Sequence, residues 1–332
     1  MRMSLHHTIA AAVAGLFALA ATAPAALAQA VPPQNWPQST VKIIVPFPPG
    51  GGADSFPRVL TEQLSKVWGQ AVVIENRAGA GGNVGAELVS RATPDGLTLL
   101  HSPTPVYSVN ATLYKKLNYD PTALKPVILL SEVASSMSVH PSTGAKTVQD
   151  FIVKAKAEPG LSYGSQGNGT TTHLAAEMFS AMVGVKLNHV PYRGSGPLMN
   201  DLVGGHIKLA FDNLASALTQ HQAGTIRVLA VASEKRSPFV PEIPTMIEAG
   251  VPGFIAVVGF GFAAPPGTPD AIINKINGDI AKLLATEEVS KRFATLGGTV
   301  VGQSPDHMAK FIASERKRWG DVIKSANIPL VE

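Results

Sequence analysis

Glycine-rich loops follow several apolar segments of this chain. The first loop, PPGGGADSF, contains Gly50, Gly51 and Gly52 in succession; the second is RAGAGGN at 77–83, and the third is QGNGTTT at 166–172. Glycine lets the main chain approach a ligand closely, and N–H groups at the start of a helix attract anions. Turn chemistry accounts for most single glycines. Turn chemistry alone does not account for three glycine-rich loops, and these loops predict that main-chain donors bind a carboxylate or a phosphate.

Nucleotide-binding motifs are weak or missing. The first loop lacks the G-x-G-x-x-G spacing of a dinucleotide site, although Glu75 lies near the position of that site's acidic residue. No G-x-x-x-x-G-K-[ST] motif occurs, which excludes a phosphate loop of that type. We therefore expect no cofactor.

Hydrolytic motifs are equally incomplete. The segment YGSQG around Ser165 resembles a nucleophile elbow, but Tyr163 takes the position of its first glycine. Several histidines are scattered without the H-x-x-x-H spacing of a zinc site: His101, His140, His173, His189, His206 and His221. The absence of cysteine excludes disulfides, thiolate metal sites and a cysteine nucleophile. We expect no catalytic residue and no metal site.

The loops must be positioned by alternating strands and helices. Residues 41–47, VKIIVPF, form a β-branched run typical of a strand buried on both faces. A helix with apolar residues at helical spacing follows the first loop, with Pro57 in its first turn and Gly69 at its end. The strand–loop–helix pattern recurs in the middle third, where Thr147 and Asp150 suit a capping box. This alternation predicts a parallel α/β sheet, whose ligand crevice lies at the carboxyl ends of the strands.

Composition and the N-terminus predict an exported protein without a nucleic-acid partner. The formal charge of +4 is mild, and no cluster of lysine and arginine stands out. Residues 1–28 contain Arg2, an apolar run and the small-residue pattern ALA before Gln29. The run is short and broken by Pro24, which favours a cleaved signal peptide over a membrane anchor. We expect a free periplasmic protein that starts near residue 29.

Long segments of the chain resemble the Bug family, the extracytoplasmic substrate-binding receptors of tripartite tricarboxylate transporters. They include PFPPGGGADSFPR, HVPYRGSGPLMNDLVGGHIKLAFDN and RSPFVPEIPTMIEAGVPGF, and they cover essentially the whole mature chain in order. The resemblance implies an α/β, two-lobed type II periplasmic-binding-protein fold with a ligand cleft between the lobes. Lobe 1 is expected at 29–133 and 254–332, and lobe 2 at 134–253. The implied function is to capture a small organic carboxylate and deliver it to a membrane permease.

The resemblance also implies the ligand-binding residues, carried over position by position. Lobe 1 is expected to hold a carboxylate through the two glycine loops, partly by way of ordered waters. Its residues are Phe47, Pro48, Gly51, Ala53, Asp54, Ala78, Gly79, Gly81, Ser102 and Thr104. Those of lobe 2 are Ser165, Gly167, Gly169, Thr170, His173, Tyr192, Arg193, Ser195 and Asp212.

The chain departs from the family pattern at several positions. Ala78 replaces a usual proline, Leu97 an aromatic residue, Pro57 a usual alanine and His101 a small residue. His101 either alters ligand choice or serves packing. Arg193 either pairs with a second carboxylate of the ligand or forms a surface or interlobe ion pair.

Two further questions stay open at this stage. An enzyme or a sensory receptor of the same bilobal shape is the alternative, and an enzyme would need a base, nucleophile or metal in the cleft. The ligand could be a dicarboxylate, a tricarboxylate, an acidic amino acid or an aromatic acid. We expect a monomer whose partners are this ligand and the permease subunits.

Overall fold

Strands and helices alternate along most of the chain in this computed structural model, which describes residues 35–325 and 328–331. The predicted signal peptide at 1–28 lies outside the described residues. The strands are β1 Val41–Val45, β2 Val72–Asn76, β3 Thr98–Pro103, β4 Lys125–Val139, β5 Leu161–Ser165, β6 Leu187–Pro191, β7 Leu209–Asn213, β8 Arg227–Val231, β9 Val257–Ala264 and β10 Thr299–Val300.

The helices fill the intervals between these strands and follow the last of them. They are α1 Gly52–Trp68, α2 Asn83–Ser90, α3 Asn110–Leu113, α4 Val148–Ala157, α5 Thr171–Val183, α6 Ser195–Val203, α7 Leu214–Gln222, α8 Asp270–Leu284, α9 Glu287–Thr295 and α10 Pro305–Ser325. The capping box predicted for α4 is confirmed. Asp150 N donates to Thr147 Oγ1 at 3.1 Å, and Thr147 N donates to Asp150 Oδ2 at 3.0 Å. No helix among the described residues is both long and apolar enough to cross a membrane.

Helix α1 begins inside the glycine run rather than after it. Gly51 is its N-cap in an extended conformation (φ −93°, ψ 173°), and Asp54 lies in its first turn, where the helix dipole favours a carboxylate. Pro57 is therefore the sixth residue of the helix, and the prediction that it occupies the first turn was wrong. Gly69 ends the helix in a left-handed conformation (φ 63°), as predicted.

The sheet has the order β2-β1-β3-β9-β4-β7-β5-β6. Strand β1 is parallel to β2 and β3, and β5 is parallel to β6 and β7, as the alternation predicted. At the centre the prediction was wrong, because β9 runs antiparallel to β3 and β4, and β4 runs antiparallel to β7. The segment 232–256 before β9 contains no helix, so no helical crossover forces β9 into the parallel direction.

Strand β4 changes partners along its length. Its residues from Lys125 to Ala134 pair with β9, and those from Ser135 to Val139 pair with β7 and β8. Ser135 N also donates to Ala256 O at 2.9 Å, just before β9 begins. The α/β fold thus has two half-sheets that share one strand. The lobe boundaries predicted near this change, at 133/134 and 253/254, remain predictions.

Apolar clusters fix the strand ends that carry the loops. One cluster contains Phe151, Phe179, Phe211 and Phe254 together with Trp319 from α10. Another joins residues of β1, β3, β4 and β9 to the first half of α10. Because α10 contributes to both clusters, it ties the two half-sheets together through packing.

Candidate functional site

Three adjoining cavities lie at the carboxyl ends of strands in the described part of the chain, and we call them together the cleft. Phe47 and Gln166 border all three. The inner cavity is also bordered by Gly169 and Thr170. A second cavity reaches the first glycine loop, and the third, which is the largest of the three, reaches the second glycine loop. This is the position at which α/β sheets bind their ligands.

Most residues that the sequence predicted for ligand binding border the cleft. They are Phe47, Pro48, Gly51, Ala53, Ala78, Gly79, Gly81, Gly167, Gly169, Thr170, Tyr192, Arg193 and Ser195. The others lie beneath its surface as buried residues: Asp54, Ser102, Thr104, Ser165, His173 and Asp212. The ligand contacts of both groups remain predictions.

The first glycine loop presents unpaired donors to the cleft. No side chain caps α1, and the N–H groups of Gly51, Gly52 and Ala53 donate to no residue in the described chain. These are the groups that carry the positive end of the helix dipole. Gly51 has open space around the position of a Cβ and an ordinary φ, so the protein itself does not require glycine there.

Asp54 holds this loop from behind. Its carboxylate accepts hydrogen bonds from Gly50 N (3.2 Å), from Arg58 Nε and Nη2 (2.9 and 2.8 Å) and from Asn76 Nδ2 (2.9 Å). Burial alone would raise the pKa of Asp54, but these hydrogen bonds outweigh it and lower the pKa. The charge of Asp54 is thus satisfied by partners in the loop, in α1 and at the end of β2.

The second glycine loop has a backbone that side chains rarely adopt. Gly79, Ala80, Gly81 and Gly82 all have positive φ, at 148°, 47°, 62° and 96°. A Cβ on Gly81 would collide with the Tyr114 hydroxyl, and one on Gly82 would lie 2.6 Å from a side-chain carbon of Val106. The N–H groups of Gly79, Ala80 and Gly81 donate to no described residue. The loop therefore offers a second set of main-chain donors to the cleft.

The end of β3 lies next to β1 in the sheet and reaches the cleft at Pro103. Ser102 and Thr104 are buried, and their hydroxyls have no partner among the described residues. His101 is fully buried as well, stacked on Phe260 with ring centroids 6.3 Å apart. Of the two roles left open for His101, the structure shows packing, together with a hydrogen bond of 2.8 Å from Nδ1 to Ala53 O in the first loop.

The third glycine loop is fastened to α5. Thr170 caps this helix by accepting from His173 N at 3.3 Å, and its hydroxyl donates to Gly167 O at 2.7 Å. Gly167 and Gly169 have φ values of 124° and 78°, which favour glycine. The loop from Gln166 to Thr170 consequently has a fixed shape against the inner cavity.

A buried serine–histidine group supports the third loop. Ser165 Oγ lies 2.6 Å from His189 Nε2, and the His189 ring stacks on His173 with centroids 4.2 Å apart. Burial lowers the pKa of His173 to about 3 and that of His189 to about 4, so both rings are neutral. Ser165 is fully buried, and no carboxylate of the described chain bonds His189. The geometry is that of a structural contact.

Asp212 organises the opposite wall of the cleft. Its Oδ1 accepts from Gln166 Nε2, from Ser195 Oγ at 3.0 Å and from Asn213 N at 2.7 Å. Burial raises the pKa of Asp212 to about 6, against the lowering effect of these hydrogen bonds. Gln166 and Ser195 border the cleft themselves. Sequence reasoning missed Gln166, although its place directly after β5 is a position that such sheets use for ligands.

The cleft rim carries a cation. Arg193 is exposed, borders two of the cavities and forms no ion pair with any residue of the described chain. The ion pair that the sequence left open for Arg193 is therefore not formed here. Tyr192 donates from its hydroxyl to Asp201 Oδ2 at 2.7 Å. Among the described residues, no group of three histidine, aspartate or glutamate side chains could hold a metal ion.

Comparison with known proteins identifies relatives with the same architecture. The family described as "Tripartite tricarboxylate transporter family receptor" (TctC) matches residues 56–328. BugT of Bordetella pertussis is 35% identical over 322 residues, covering 96% of this chain and 98% of the relative. The resemblance to the Bug family is confirmed by these matches.

Two solved structures from Rhodopseudomonas palustris superpose closely. "R. palustris Rpa4515 with adipate" is 37% identical with a TM-score of 0.86, covering 89% of this chain and 99% of that one. "MatC (Rpa3494) from Rhodopseudomonas palustris with bound malate" is 31% identical with a TM-score of 0.82, covering 87% and 100%. Matching both in sequence and in its two-lobed periplasmic-binding-protein fold, this chain belongs to the TctC family of tripartite tricarboxylate transporter receptors.

Proposed function

We propose that this protein captures a small organic acid in the cleft and delivers it, in the periplasm, to the permease subunits of a tripartite tricarboxylate transporter. The observation that carries the proposal is the pair of glycine loops, whose N–H groups from Gly51 to Ala53 and from Gly79 to Gly81 lack partners in the described chain. Two sets of main-chain donors that converge on one cleft suit the oxygens of a carboxylate.

Relatives support the chemical class of the ligand. One similar structure is described with adipate and another with malate, both dicarboxylates. Arg193 at the rim of the cleft suits a second carboxylate, because a guanidinium can donate two parallel hydrogen bonds.

The proposed cycle uses the two-lobed fold. The lobes, at 29–133 with 254–332 and at 134–253, open about their two crossings and close when a ligand bridges them. Only the closed form lets one acid contact both the first glycine loop and Ser195, and this difference in contacts supplies the energy of closure. The closed surface is then what the permease recognises. The receptor acts as a monomer and performs no chemistry on its ligand.

A panel of organic acids tests capture directly. Protein lacking 1–28 is screened by thermal shift against di- and tricarboxylates, acidic amino acids and aromatic acids, and hits are measured by calorimetry. A ligand at 100 times its Kd adds about 2.7 kcal/mol to the free energy of unfolding. A panel in which no acid raises the unfolding temperature or gives binding heat contradicts the proposal.

The enzyme alternative has its own test. Each hit is incubated with the protein, and the solution is followed by NMR for loss of ligand or appearance of product. Unchanged ligand after binding supports a receptor, and turnover supports an enzyme of the same shape.

A further inference from the structure

Gln166 is the polar residue that borders all three cavities, and Phe47 is the other residue that they share. Gln166 Nε2 donates one of its two hydrogens to Asp212 Oδ1, and this bond fixes which way the amide is turned. Its Oε1 accepts no hydrogen bond from the described residues and is not enclosed, so it is left facing the cleft. Gln166 therefore offers the ligand an acceptor.

The hydroxyl of Ser195 also donates its hydrogen to Asp212. Its Oγ lies 3.0 Å from Asp212 Oδ1, and an ionised carboxylate only accepts, so the hydroxyl hydrogen of Ser195 points at Asp212. What remains toward the cleft is the lone pairs of the hydroxyl oxygen. Two neighbouring side chains on one wall thus each present an acceptor oxygen to the cleft.

Asp212 fixes this polarity. It is fully buried, and Asn213 N holds the same Oδ1 at 2.7 Å, so the carboxylate cannot turn away from its partners. A flip of the Gln166 amide would set its oxygen against this carboxylate, which is repulsive. Asn213 itself also borders the cleft, and its buried Oδ1 accepts no hydrogen bond from the described residues.

We propose that this wall, formed by Gln166 and Ser195 on Asp212, selects an organic acid that carries a hydrogen-bond donor, a hydroxyl or an ammonium group, over the same acid without it. The inference rests on the proposed function and names the ligand class of that site. A plain acid leaves both acceptors dehydrated and unpaired when the lobes close, and sites built to bond a hydroxyl discriminate strongly for that reason. Arg193 and the first N–H groups of α6 lie beside this wall and can take a carboxylate next to the donor.

Matched pairs of acids test the selection. Calorimetry at pH 8, where Asp212 is ionised, compares succinate with both enantiomers of malate and with aspartate. The same comparison is made between glutarate, 2-hydroxyglutarate and glutamate, and between adipate and 2-hydroxyadipate. We expect the donor-bearing member of the tightest-binding pair to bind at least about tenfold more tightly, the scale set by leaving one buried acceptor unpaired.

Variants assign the preference to this wall. Gln166→Met keeps the length of the side chain and removes the amide, so the preference should fall to less than about threefold. Ser195→Ala should reduce it partially. Gln303→Met is the matched control, because Gln303 is exposed and lies outside the cleft. Unchanged unfolding temperatures show that each variant is folded.

The outcomes separate this inference from the function on which it rests. Equal affinity within every pair, tighter binding of the plain acids, or a preference that survives both Gln166→Met and Ser195→Ala overturns the selection while capture of acids stands. If no acid of either kind binds, the proposed function fails and the selection fails with it.

Discussion

The carbonyl oxygen of Ala53 is a position where one substitution should repair the damage done by another. Pro57 has no N–H, so Ala53 O, four residues earlier in α1, lacks its helical partner. His101 Nδ1 lies 2.8 Å from this oxygen and replaces the missing donor. Because a carbonyl only accepts, Nδ1 carries the hydrogen; burial lowers the pKa of His101 to about 4, and Nε2 has no partner in the described chain.

His101→Leu removes the donor at nearly constant volume. Leaving Ala53 O buried and unpaired costs about 1–3 kcal/mol, but the same change removes the unpaired Nε2, which offsets a similar amount. The single substitution is therefore uninformative. With Pro57→Ala also present, the new N–H at position 57 donates to Ala53 O. His101→Leu should then cost about 1–2 kcal/mol less than it does beside Pro57, the value of one repaired hydrogen bond.

Denaturant unfolding of the four proteins of this double-mutant cycle, at pH 8, measures the interaction energy. Pro141→Ala provides the matched control, because Pro141 is exposed at the start of a short 3₁₀ turn far along the chain, and its cycle with His101→Leu should be additive. An interaction energy between positions 57 and 101 below about 0.5 kcal/mol refutes the reasoning, since distant pairs add within that limit.

Four further outcomes are expected. The free energy of unfolding should fall as pH drops from 6.5 toward 4, because His101, His173 and His189 have lowered folded pKa values and the unfolded chain binds more protons in that window. The raised pKa values of Asp212 and Glu132 act in the opposite direction, with two groups against three, and a flat profile by denaturant unfolding contradicts the expectation. Gly51→Val should leave the fold intact, since a Cβ there meets open space, and should weaken ligand affinity; unchanged calorimetric affinity removes the first loop from the site. Affinity should depend weakly on salt, because buried hydrogen bonds are little screened, and a steep loss between low and high salt counts against main-chain binding. Small-angle scattering should show a smaller radius of gyration with a bound acid, and identical scattering curves with and without the acid would contradict the closure mechanism.

The glycine loops could be predicted from the sequence because their requirement is local. Positive φ at Gly79 and Gly81 favours glycine whatever surrounds it, and a loop between a strand and a helix is recognisable from its neighbours. Gly51 was predicted because glycine lets the main chain approach a ligand closely, and it has an ordinary φ. Gly51 differs from the other two because α1 starts directly after it. The low helix propensity of glycine would instead predict that the run of glycines stays a loop.

The opposite wall of the cleft could not be predicted in this way. The amide of Gln166 is oriented by its hydrogen bond to Asp212, which lies forty-six residues away in the chain. Ser165 contacts His189 only because β5 pairs with β6. The antiparallel direction of β9 also depends on contacts between distant parts of the chain, because it is set by where the helix-free segment 232–256 joins the sheet. Such long-range contacts leave no periodic signal along the chain.

Strand β4 has a consequence for how the protein loses its structure. Its first ten residues belong to one half-sheet and its last five to the other, so the two half-sheets are joined by one continuous strand without a flexible linker. Helix α10 adds packing across the same division. We therefore expect the loss of one half-sheet to destabilise the other, and an excised half would be left with an exposed strand edge prone to aggregation.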